Sequence, residues 1–214
     1  MHAVRIYDQP YAVEDRLADF GVTRNEMIDV IEQIVAARFS VVSVDARAAA
    51  GQQAYLAGVR HTRFLFMRRD WEPNCDNGVE SVYDPKSKTK IVYQSVDSAC
   101  VSIRAPQAIN AKGKVSSDLV NSAQGCLFTA EELPEVAPSD IENLNSTIWY
   151  LCVSAEDDDI RAELSLPAAI VNRNFKGFLE RIFIVKAGEW DNRHQPSARR
   201  DDDDGAYEFS IVRR

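Results

Sequence analysis

The 214-residue chain has little of what most functional signatures are built from. It holds four cysteines, three histidines and nine glycines. Cys75, Cys100, Cys126 and Cys152 stand singly, so neither a Cys-x-x-Cys redox or zinc pair nor the cysteine density of a disulfide-stapled miniprotein is present. His2, His61 and His194 share no spacing that sets two imidazoles on one helix face, which excludes the H-E-x-x-H pattern of zinc hydrolases. Basic residues are the minority. With 25 Lys and Arg against 33 Asp and Glu, the formal charge is −8, unlike a general nucleic-acid coat protein, whose affinity comes from cations that release counterions. No apolar run approaches a bilayer span, and Met1–Asp8 lacks the basic start and apolar stretch of a secretory signal. These absences predict a cytoplasmic chain with reduced thiols and no membrane partner.

What is present is enough apolar residue, 45%, to bury a core. Residues 1–70 read as helical. Ala12–Phe20 carries Val13, Leu17 and Phe20 ahead of Gly21, a natural left-handed stop. Thr23 and Glu26 make a capping box that opens a helix to about Phe39. A third helix is predicted from Gln52 toward Met67, with Tyr55, Leu56, Val59 and Phe66 inward and Arg60, Arg63 and Arg68 outward. Residues 71–214 read as mainly β, forming one compact domain with the helices. Val79–Asp84 and Thr89–Val96 flank the turn Pro85–Lys88 as a hairpin. A short helix is expected from Ser116 or Ser117 to about Ala123, then an acidic connection over Thr129–Leu144. Thr147–Ser154 is apolar on both faces, as a central strand requires. Ile160–Leu166 alternates, with Arg161, Glu163 and Ser165 on the polar side. Phe178–Val185 and Tyr207–Val212 read as further strands, and Asp191–Gly205 as a polar loop. The expectation is an α+β fold, N-terminal helices packed on a mostly antiparallel sheet.

The segments IYDQPYAVEDRLADFGVTR, KIVYQSVD, AQGCLF, RAELSLP and FKGFLERIFI resemble a group of uncharacterised bacterial proteins over nearly the full length. The resemblance implies a bacterial cytoplasmic origin and carries no activity with it.

Charge is unevenly distributed. Between Lys86 and Lys114 lie Lys86, Lys88, Lys90, Arg104, Lys112 and Lys114, with Asp97 as the one acid, whereas Thr129–Glu163 holds ten acids against Arg161. Lys86, Lys88, Lys112 and Lys114 are therefore candidates for weak, salt-sensitive phosphate contact; the competing reading is a solvated hairpin tip. Lys112-Gly113-Lys114 only echoes a P-loop, because Ala108 and Val115 stand where glycine and Ser or Thr are needed. The acidic runs Glu156–Asp159 and Asp201–Asp204 lack the alternating ligands and distal glutamate of an EF-hand. No catalytic residue, metal ligand or cofactor site is nominated.

Two constellations carry the functional expectation. Gln124-Gly125-Cys126-Leu127-Phe128 is similar to the bacterial sliding-clamp-binding peptide, a Gln followed after two residues by Leu and Phe. Such a segment buries Leu127 and Phe128 in a partner's apolar pocket while Gln124 hydrogen-bonds at its rim. Leu127 and Phe128 anchored in this protein's own core is the competing reading. The leading expectation is a non-enzymatic interaction protein, docking on DNA-metabolism machinery. The alternative is a metal-dependent nuclease with Asp84, Glu163, Glu180 and Lys186 converging on Mg²⁺. A third reading is a small-molecule sensor with a pocket between helices and sheet.

Overall fold

A computed structural model describes residues 4–76, 78–109, 146–156, 158–171 and 174–194. The expected helix near Ser116, the acidic connection, the strand at Tyr207–Val212 and the residues Lys112, Lys114, Gln124, Leu127 and Phe128 lie outside the described residues.

The chain opens with a short strand, β1 (Arg5–Tyr7), and then three helices: α1 (Pro10–Ala18), α2 (Arg24–Phe39) and α3 (Ala49–Met67). The first helix starts two residues earlier than Ala12 because Pro10 occupies its first turn, where a fixed φ and a missing N–H cost nothing. Gly21 adopts φ 71°, and the chain turns directly into α2. There the capping box is complete. Thr23 Oγ1 accepts from the Glu26 N–H at 3.2 Å, and the Glu26 carboxylate accepts from the Thr23 N–H at 2.9 Å.

The strands follow: β2 (Glu72–Asp76), β3 (Val79–Asp84), β4 (Thr89–Ser95), β5 (Thr147–Glu156), β6 (Asp159–Pro167), β7 (Ile170–Val171), β8 (Asn174–Phe175) and β9 (Phe178–Val185). Six of them join β1 in one seven-stranded sheet, in the order β1-β9-β6-β5-β4-β3-β2, with β7 and β8 as a separate ribbon. Neighbours are antiparallel except β4–β5 and β1–β9, which are parallel. The sheet is thus mostly antiparallel and mixed. A helix α4 (Glu189–His194) takes up the beginning of the expected polar loop. The two edge strands, β1 and β2, escape a reading by alternation because three residues, or the sequence Glu-Pro-Asn-Cys-Asp, display no apolar period.

β5 sits in the middle, as its two apolar faces require. Trp149, Leu151 and Val153 join the core under the helices, whereas Ile148, Tyr150 and Cys152 join a second cluster with Val92, Phe175 and Phe178 on the opposite face. Two sheet faces therefore each carry a core.

The inward face of α3 agrees with the expectation at Phe66 and differs from it at Tyr55 and Leu56. Tyr55 and Leu56 are 41% and 55% exposed, and the buried residues are Ala54, Ala57, Gly58, Thr62, Leu65 and Phe66. The cause is a close crossing over β4. A Cβ on Gly58 would stand 2.4 Å from the Tyr93 ring, so the helix presents its small residues to the sheet and turns larger ones away. Arg63 is not outward either. Its guanidinium donates to the carbonyls of Ser81 and Asn74 and to the Glu80 carboxylate, tying α3 to β2 and β3.

Two outcomes follow from these contacts. Gly58→Ala is expected to cost about 1–3 kcal/mol through overpacking against Tyr93. Gly51→Ala, with nothing within 4 Å of the new methyl, should stabilise by up to about 1 kcal/mol through helix propensity; urea midpoints of the two variants check both signs. The Glu26 carboxyl is held below the usual carboxylate range by the Thr23 backbone N–H and by the Arg69 guanidinium. Its contribution is present above the ordinary carboxylate pKa and is lost as pH falls through the lowered folded value. Glu26→Gln should therefore lessen the loss of stability with acidification in that window, followed by thermal melts across a pH series.

Candidate functional site

Glu163 and Ser165, placed by alternation on the polar side of β6, are fully buried. That side faces the second core, and a carboxylate there needs a partner. Arg181 of β9 supplies it. Its Nε and Nη2 donate to the two Glu163 oxygens at 2.8 and 2.7 Å, a bidentate pair with both side chains almost wholly removed from solvent. Ser165 Oγ donates to Glu163 at 2.7 Å, and the backbone N–H of Cys100 donates at 2.5 Å. The guanidinium lies beside the Phe178 and Phe183 rings, 5.8 and 5.0 Å from their centroids.

The same pair holds the segment that leaves β4. Arg181 Nη1 donates to the carbonyls of Val101 and Arg104 at 2.8 and 3.2 Å. Cys100 sits at φ 55°, a left-handed conformation that costs a non-glycine residue energy and persists because surrounding contacts impose it. Its thiol donates to the Ala162 carbonyl at 3.1 Å. Burial, with the Glu163 carboxylate next in effect, pushes the Cys100 thiol well up, so it stays protonated and poorly nucleophilic at neutral pH. The Ala99 N–H donates to Ser154 Oγ at 3.1 Å. Farther out, the Asp97 carboxylate accepts from the Gln107 N–H at 2.8 Å and pairs with Arg104.

This pinned segment forms one wall of a cleft of about 420 Å³ at the carboxyl ends of β4 and β5. Arg38 and Phe39 reach it from the end of α2, Val96, Asp97 and Ile109 from the segment after β4, and Ala155 and Glu156 from the end of β5. A pocket between helices and sheet was one expectation from the sequence, but none of these residues was nominated for it. The signal that nominates them is spatial. They come from three elements and share no motif.

The residues nominated from the sequence fall in separate places. Asp84 caps its own turn, accepting from the backbone N–H of Lys86 and Ser87 and from Ser87 Oγ. Glu163 is locked to Arg181. Glu180 points to the helix side of β9, where it accepts from Arg16 at 2.9 Å and Arg5 at 3.4 Å. Lys186 Nζ donates to the Asp8 carbonyl at 3.1 Å. The four residues expected to converge on Mg²⁺ are thus divided between the two faces and the rim of the sheet, because neighbouring residues on a strand point oppositely. Among the described residues no three His, Cys, Asp or Glu side chains are grouped to hold a metal ion.

Lys86 and Lys88 are exposed in the β3–β4 turn, with Lys86 3.6 Å from Asp70. Lys90 is buried, pairs with Asp76 and lies over the Tyr83 ring, and Arg104 is paired with Asp97. The basic stretch therefore offers fewer free cations than its sequence suggests. Among the described residues no helix is long and apolar enough to cross a membrane.

Compared with models of protein families, with curated proteins and with solved structures, the chain matches none.

The Glu163–Arg181 pair generates a direct expectation. Glu163→Gln leaves a buried guanidinium without its counter-charge and should cost about 3–5 kcal/mol, whereas Glu163→Met with Arg181→Met should cost less, since removing both charges leaves neither orphaned. Urea denaturation of the single and double variants measures the difference. Thiol labelling read by peptide mass spectrometry gives a second measure: in the native protein exposed Cys75 reacts before Cys100 and buried Cys152, and Cys100 labelling accelerates in Glu163→Gln.

Proposed function

We propose that the protein is a non-enzymatic interaction protein of the bacterial cytoplasm that docks on DNA-metabolism machinery through Gln124, Leu127 and Phe128, with a sliding clamp as the partner. The observation that carries this reading is the Gln-x-x-Leu-Phe spacing together with its place in the chain. It falls between Ile109, whose N–H donates to the Ser95 carbonyl at 3.1 Å, and Thr147, whose N–H donates to the Lys88 carbonyl at 2.9 Å. These two anchors lie at opposite ends of β4. In sequence the peptide falls between two adjacent parallel strands, whose connection must run to a dozen residues or more, and connecting segments carry binding residues disproportionately.

A clamp-like pocket that takes Leu127 and Phe128 gains about 1.5–3 kcal/mol for each side chain before the cost of ordering the segment, which suits a weak and regulated contact. Lys86 and Lys88 on the exposed turn, with Lys112 and Lys114 in the connection, would add salt-sensitive contact to phosphates.

The test is binding of the purified protein to a bacterial sliding clamp by calorimetry, beside a Leu127→Ala, Phe128→Ala double variant whose circular dichroism matches the parent. Micromolar binding that disappears in the folded double variant is the expected result. A wild-type protein that does not bind, or a variant that binds equally well, overturns the assignment.

A further inference from the structure

We propose that the cleft at the carboxyl ends of β4 and β5 is a binding site for a small zwitterion, and that the class it fits is an apolar α-amino acid. Its position is the first argument. In sheets with adjacent parallel strands, ligands collect beyond the carboxyl ends, where the chain departs and leaves a crevice. β4 and β5 are the adjacent parallel pair at the centre of the sheet, and the cleft opens where both end. Its size, about 420 Å³, falls within the range of roughly 300–1,000 Å³ that small-molecule sites occupy.

Charge is the second argument. Arg38 in the last turn of α2 and Glu156 at the end of β5 line the same cleft. Among the described residues the Arg38 guanidinium and the Glu156 carboxylate make no side-chain hydrogen bond or ion pair, either with each other or with a third group. Two opposite charges in one cleft that do not meet present complementary ends to a molecule carrying both signs. Asp97 plays no such part, since Arg104 and the Gln107 N–H already occupy its carboxylate. An arginine also suits a helix C-terminus without any ligand, and a glutamate suits the rim of a hairpin, so the presence of both charges in one cleft is what distinguishes a site from two solvated side chains.

The rest of the wall is apolar. Phe39 and Ile109 are 54% and 56% exposed there, over Val96 and Ala155. Arg38 would take the ligand carboxylate in a forked pair, Glu156 its ammonium, and Phe39 and Ile109 its side chain. The segment carrying Val96, Asp97 and Ile109 is held to the sheet by Glu163 and Arg181, so the wall is preformed.

L-leucine and L-phenylalanine are the probes, titrated into isotopically labelled full-length protein and followed by amide chemical shifts. Isoamylamine, which lacks the carboxylate, and 4-methylpentanoate, which lacks the ammonium, separate the two charges. Saturable shifts centred on Phe39, Val96 and Ala155 are expected with an amino acid, and each single-charge analogue should bind at least about tenfold more weakly, the loss of one charge-assisted hydrogen bond. Arg38→Gln should erase the preference for L-leucine over isoamylamine, and Glu156→Gln its preference over 4-methylpentanoate. Absence of saturable shifts with both amino acids at millimolar concentration overturns the proposal. So do shifts centred elsewhere, or binding that neither substitution changes.

Discussion

A carboxylate and a guanidinium face each other in the second core of this sheet, and the arrangement around them depends on that pair. Glu163 accepts four hydrogen bonds and Arg181 gives four, two of them to the backbone of the segment that follows β4. An apolar pair at these positions would fill the space as well. It would not specify where the Val101 and Arg104 carbonyls lie, because dispersion has no direction and a charge-assisted hydrogen bond does. The pair is thus a positional constraint more than a source of stability, given the desolvation of both charges. It accounts for the left-handed Cys100, for the protected thiol, and for a preformed wall of the cleft.

A second constraint works on the helix side. The contact between Gly58 and the Tyr93 ring sets how near α3 lies to β4, and close packing allows no intermediate distance. From that approach follow the burial of Ala54 and Ala57, the exposure of Tyr55 and Leu56, and the turning of Arg63 onto the carbonyls of β2 and β3. On the same face, Arg16 of α1 extends this logic: it lies 5.2 Å from the Trp149 ring centroid while pairing with Glu180. Polar side chains of the helices therefore serve mainly as clamps on the sheet, which explains why carboxylates that look available in one dimension are occupied in three.

Legibility differed by element. The capping box at Thr23 and Glu26, the left-handed Gly21, the β3–β4 turn and the doubly apolar β5 are local signals, each decided within a few residues, and the structure holds all of them. The inward face of α3 was legible at Phe66 but not at Tyr55 and Leu56, since Leu56 is more apolar than Ala57 and only the partner ring excludes it. Nor was the burial of Glu163. Alternation says that Arg161, Glu163 and Ser165 share a face but is silent on whether that face meets water. One sign was present, an arginine inside the apolar run Phe178–Val185, with a glutamate in β6, the neighbouring strand, to answer it. For the cleft no such sign existed, because Arg38, Ile109 and Glu156 are far apart in sequence and unremarkable alone.

The sequence by itself determined the α+β class, the three N-terminal helices ahead of most of the strands, the start of α2 and the β3–β4 turn, because caps, glycine stops and apolar periods act over one or two turns of chain. It also holds the Gln124–Phe128 spacing on which the docking proposal stands. Only the tertiary structure decided that the order β1-β9-β6-β5-β4-β3-β2 contains two parallel pairs, that Glu163 finds Arg181, and that Arg38 and Glu156 share a cleft. Those outcomes depend on which surfaces meet, and the identity of a residue limits its possible partners without naming the one that burial will bring to it.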